Sequence, residues 1–110
     1  MKITEASISW EVTSDKSRSY GFVQGKLCFV IRPPRASSAE KNKEPMDKPY
    51  VLHDIVHNMI YTTDSRPPAM DRAFTILTEE MFGKEVDAKL WNIEVPLNQL
   101  DDGYKSKEIK

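Results

Sequence analysis

Between Glu5 and Thr13 the chain alternates without interruption. Ala6, Ile8, Trp10 and Val12 are separated by Glu5, Ser7, Ser9, Glu11 and Thr13. A period of two buries one side of a strand and wets the other, and a helix cannot use it. The chain is therefore committed to a sheet with one solvated face near its start. A second layer is needed to cover the apolar face.

Later segments supply candidates for both. Thr13–Ser19 is polar and reads as a loop. Tyr20–Ile31 is rich in aromatic and β-branched residues, which suit a pleated surface. Gly25 interrupts it, either as the tight turn Gln24-Gly25 or as a bulge in one longer strand. The short pieces on either side favour the bulge, with Leu27, Phe29 and Ile31 on one face and Cys28 and Val30 on the other. Pro33-Pro34 ends the strand. Residues 32–49 are almost free of apolar side chains and carry four prolines, so they are expected to form a mobile loop.

The period then changes. Val51, Leu52, Ile55, Val56, Met59 and Ile60 recur with helical spacing, which predicts a helix over 50–61, with Asp47 as N-cap and Pro49 in the first turn. Its β-branched content makes a strand the competing reading. Met70, Ala73, Phe74, Leu77 and Met81 predict a second helix over 68–82, ended by Gly83. Glu85–Val95 alternates again and reads as a strand, with Trp91, Ile93 and Val95 on one face. The expected fold is α+β: a small antiparallel sheet of three to four strands with two helices on one face, in the order β-β-α-α-β. One domain is expected over residues 1–100, followed by a frayed polar tail over 101–110.

Composition narrows the function classes. A chain of 110 residues and 12.7 kDa fits a single domain. No apolar run approaches the roughly 20 residues of a membrane helix, and the start of the chain does not read as a signal peptide. A single cysteine, Cys28, forms no internal disulfide. The reading is a cytoplasmic protein without membrane contact.

Sixteen Lys and Arg against seventeen Asp and Glu leave a net charge of −1, but the charge is segregated. Lys16, Arg18, Lys26, Arg32 and Arg35 fall between residues 16 and 35 with no acid among them. That window holds +5, which leaves −6 for the rest of the chain. The same window holds Tyr20, Phe22 and Phe29. Aromatics interleaved with cations suit a partner-binding face: Lys16, Arg18, Tyr20, Phe22, Lys26, Arg32 and Arg35 would meet a protein with an acidic surface. The alternative is a single-stranded nucleic acid, its bases stacked on the rings and its phosphates held by the cations.

Catalytic and metal signatures are weak. His53 and His57 are four apart and would share a helix face as a metal pair, but no third ligand is evident beyond Asp64 or Asp71. A thiol flanked by Leu27 and Phe29 reads as a small core residue rather than a nucleophile. No Gly-rich phosphate loop, nucleophile elbow or Cys-x-x-Cys is present, so no cofactor is expected. Trp10 and Trp91 read as core anchors, and Met46 as an exposed loop residue. These features point to a non-enzymatic binding module, a small inhibitor, immunity protein or adaptor of bacterial, phage or plasmid origin.

Overall fold

The computed structural model describes residues 1–34 and 46–86, together with the backbone of 105–108. Its sheet runs β1 (Ser9–Val12), β2 (Ser19–Val23), β3 (Lys26–Arg32), β4 (Tyr50–Asp54), β5 (Met59–Thr63) and β6 (Lys105–Glu108), in that spatial order. The first five strands form an antiparallel meander, and β6 lies parallel to β5. Among the described residues there is one helix, α1 (Arg66–Ile76), which continues into a π-helical turn at Leu77–Met81. The α+β class stands, but the expected count of three to four strands and two helices does not.

The correction lies at residues 50–61, which form the β4–β5 hairpin instead of a helix. Val51 to Ile55 and Ile60 to Thr63 are buried at every position. A strand buried on both faces carries an almost continuous apolar run, which mimics helical spacing once a polar turn interrupts it. The turn contains Asn58 at φ 55, a left-handed conformation that Asn tolerates. In place of the expected β-β-α-α-β order, the described residues form five strands, one helix and a further strand.

A second correction concerns Gly25. Gln24 and Gly25 have φ values of 51 and 79 and form the two-residue turn between β2 and β3. A positive φ at both central residues matches the right-handed twist of the flanking strands. The bulge lies elsewhere. Gly21 pairs with Phe29 while Phe22 pairs with Leu27, so Cys28 is the extra residue. That offset reverses the alternation. Phe29 and Ile31 join the core under α1, whereas Leu27 joins Val30 on the opposite face.

The helix starts after Ser65 and carries Pro67 and Pro68 in its first turn. Prolines are accepted there because the first amides have no helical acceptor. Its buried residues Ala69, Ala73 and Ile76, with Leu77 and Met81 of the π turn, pack on Phe29, Ile31, Leu52 and Tyr61. Each large aliphatic side chain buried this way contributes roughly 1.5–3 kcal/mol. Gly83 ends the segment at φ 79, as the C′ position requires.

The first alternating segment is strand only over Ser9–Val12, and the chain before it is held by other means. The Gln24 side-chain oxygen accepts the amides of Thr4 (2.6 Å) and Glu5 (3.1 Å). Lys2 bridges to Glu85, the first residue of the strand expected over 85–95. Residues 87–95 of that strand, Trp91 and the stretch 35–45 of the expected loop lie outside the described residues. Within the tail expected to fray at 101–110, Lys105–Glu108 forms β6, and the remainder lies outside the described residues. No helix among the described residues is long and apolar enough to cross a membrane.

Candidate functional site

The β1–β2 hairpin carries most of the residues expected to bind a partner. Its tip is ordered by Asp15, whose carboxylate accepts hydrogen bonds from the Thr13 hydroxyl (2.7 Å), the Ser17 amide (3.0 Å) and the Ser17 hydroxyl (2.8 Å). These bonds, that of Thr13 foremost, lower the Asp15 pKa to about 2. The acid sits beside Lys16, so the tip is a mixed-charge surface and not a cationic one. Lys16 is exposed at φ 61, and its carbonyl accepts a hydrogen bond from the Arg66 guanidinium. Arg18 is half-buried just before β2, and Lys26 is half-buried at the start of β3.

Two members of the expected set fall elsewhere. Arg32 is fully buried, and one of its guanidinium nitrogens donates to the Pro33 carbonyl at 3.3 Å. It is not a surface contact. Arg35 lies outside the described residues. Tyr20 and Phe22 are half-buried and pack against Leu27, Val30 and Ile55.

Register shows what surrounds the two rings. Glu11 stands opposite Tyr20, and Ser9 opposite Phe22. Directly paired residues project to the same face. The aromatics therefore share a face with a carboxylate, while the cations sit at the strand ends. An open groove of about 420 Å³ runs along this face, lined by Glu5, Ser7, Ser9, Glu11, Phe22, Gln24 and Gly25. The two serines leave the depth, Phe22 gives it an apolar wall, and a glutamate stands toward each end. The sequence reading missed Glu5 and Glu11 as site residues. Their signal was present in the alternation that put both acids and both serines on one face.

The opposite side of β1 faces inward. Trp10 and Ile8 pack on the main core, as expected for Trp10, and Val12 at the strand end is 46% exposed. Met46 is exposed as expected.

The histidines separate. His53 sits in β4, 1% exposed, on the face opposite its neighbour Asp54. His57 lies in the β4–β5 turn, where its Nδ1 is 2.6 Å from Asp54 Oδ2 and its amide donates to Asp54 Oδ1 at 3.2 Å. The helix that would have aligned the two rings is absent, and no group of three metal-ligating side chains occurs among the described residues. The Asp54 hydrogen bond raises the His57 pKa above 6.5, opposed by partial burial and aided by Glu80. Asp54 itself is fully buried. Nearby, the Arg72 guanidinium carbon lies 5.1 Å from the centre of the Tyr61 ring, and burial pushes the Tyr61 hydroxyl above its usual pKa of 10. Asp54 thus binds both the backbone and the ring of His57, a clasp across the turn. Cys28 is fully enclosed, and burial pushes its thiol up to about 12. That value leaves essentially no thiolate for nucleophilic chemistry at neutral pH.

No protein-family model, curated protein or solved structure matches the chain, so the geometry of this hairpin and its groove is the evidence on which a function must be argued.

Proposed function

We propose that the chain is a non-enzymatic protein-binding module whose partner docks on the outer face of the β1–β2 hairpin and on the edge of β1 that no described strand covers. The observation that carries this reading is the groove over Ser7 and Ser9, open to solvent beside a strand at the end of the sheet. Exposed strand edges are ready templates for pairing with another chain. A small inhibitor or immunity-type protein is consistent with a recognition surface on a rigid sheet.

Single-stranded nucleic acid is the weaker reading. Stacking platforms combine rings with nearby cations. Here Glu11 stands opposite Tyr20, and Arg32 is buried. The hydrogen bonds of Asp54 to the His57 ring and amide support reading that pair as a turn clasp.

The test is amine cross-linking of the chain to whatever protein co-purifies with it stoichiometrically from its native cells. Cross-links from Lys16, in the tip of the hairpin, and from Lys26, at the start of β3, are the expected result. The absence of any stoichiometric protein, or cross-links confined to Lys84 beyond the helix, would overturn the proposal.

A further inference from the structure

We propose that the groove on β1 takes a basic extended segment of another protein, added antiparallel as a seventh strand and carrying Lys or Arg at two positions six residues apart. This deepens the binding-module reading and rests on it.

The backbone argument comes first. The Thr13 amide donates to the Arg18 carbonyl at 3.0 Å. Hydrogen-bonded pairs alternate along an antiparallel ladder. Glu11 and Ser9 therefore bond inward to β2, and Val12 and Trp10 turn their amides and carbonyls to the edge away from β2. β1 pairs with β2 alone among the described strands. An added strand would satisfy those groups.

Side chains then select the occupant. Glu5 and Glu11 project to the grooved face, and their carboxylates have neither ion pair nor hydrogen bond among the described residues. β1 itself covers only Ser9–Val12, so pairing that reaches Glu5 would extend the strand toward the start of the chain. Over six extended residues the two carboxylates would stand about 20 Å apart, too far to share one cation. A strand laid beside β1 and continued past Ser9, extending β1 on binding, would set one residue opposite Glu11 and another, six positions on, opposite Glu5. The two intervening positions on that face lie over Ser9 and Ser7, where an apolar side chain reaches Phe22. Opposite charges directly across a strand pair are favourable, and like charges are not.

The same arrangement argues against a second copy of this chain. Glu5 and Glu11 are each three residues from Ile8. An antiparallel copy centred on Ile8 would oppose Glu5 to Glu11 twice. The acidic pair therefore protects the edge from self-association while admitting a basic partner.

The probe is a synthetic nine-residue peptide with Arg at its second and eighth positions, Leu at its fourth and sixth, and Thr elsewhere. Three results are expected. Saturable binding weakens as salt rises. The amide resonances of Trp10 and Val12 shift on binding. Glu5→Lys combined with Glu11→Lys weakens binding roughly tenfold or more, while the variant keeps the wild-type melting temperature. Glu5→Gln with Glu11→Gln weakens it less, which separates lost attraction from new repulsion. N-methylation of alternate peptide amides abolishes binding if main-chain pairing is right. No binding at about 1 mM peptide overturns the inference. So does binding indifferent to charge reversal, or binding that shifts amides away from β1. If the peptide fails while a native partner still cross-links to Lys16 and Lys26, only this inference falls and the binding-module reading stands.

Discussion

The indole of Trp10 covers Gly21, its paired residue on β2. A Cβ placed at Gly21 would lie 2.8 Å from Trp10 Cζ3, 2.9 Å from Cη2 and 3.1 Å from Ile8 Cγ2. Gly21→Ala is therefore expected to force the indole off its site and destabilise the protein by about 1–3 kcal/mol, the usual range for overpacking. Urea denaturation measures the cost. In a Trp10→Leu background the same substitution should cost clearly less, because the two sites are in contact and their effects are not additive.

The His57–Asp54 clasp makes stability depend on pH. The folded pKa of His57 lies above 6.5 because the Asp54 hydrogen bond favours the charged ring. The contribution is fully present below about pH 6.5, and it is lost as pH rises through the raised folded value. With the imidazole one-third exposed, solvent screening keeps the effect modest. Chemical denaturation from about pH 5.5 to 9 should show stability falling across that window, and His57→Gln should flatten the profile there. A profile unchanged by the substitution would remove the clasp from the account.

Cys28 is expected to be inert in the folded protein. With its thiol raised to about 12 and its side chain fully enclosed, iodoacetamide at about pH 8 should leave it unmodified while the chain is native. The same reagent in denaturant should label it fully. Rapid native labelling, read by intact mass, would show that β3 opens locally.

Charge reversal should have opposite consequences at two cations of the same segment. Lys16→Glu changes an exposed turn residue and should alter stability by no more than about 0.5 kcal/mol. Arg32→Glu places an anion where a fully buried guanidinium stood, and a loss on the order of 3–5 kcal/mol is expected. Thermal melts distinguish them. Loss of binding in an Arg32 variant would therefore report unfolding, whereas loss in a Lys16 variant would report contact.

The sequence revealed some of this and hid the rest for identifiable reasons. The helix was legible from Ala73, Leu77, Met81 and the closing Gly83, but its buried stripe is turned from the expected one: Ala69 and Ile76 are fully buried in place of Met70 and Phe74, and Phe74 is 49% exposed. The β4–β5 hairpin was not, because its apolar doublets are compatible with both periods. Asn58 at the turn was the local sign of a hairpin. The basic segment was read from charge alone, and charge does not say which way a side chain points. Placing Arg32 inside required the pairing of β3 with β4. Asp15, one residue outside the basic window, altered the character of the tip. Glu5 and Glu11 shared a face in the first nine-residue pattern, yet a groove needs the small serines and Phe22 together, and Phe22 comes from another strand.

The extra residue at Cys28 has a mechanical consequence. Strand β3 is buried on both sides over nearly its whole length. Hydrophobic patterning normally punishes a one-residue slip by exposing apolar side chains, but β3 would bury apolar side chains in either setting. The bulge supplies the missing stop. It works as a detent, since sliding β3 along β2 would move the offset away from Gly21 and Phe22, where the pairing changes step. A strand greasy enough to settle in two positions is thereby indexed to one.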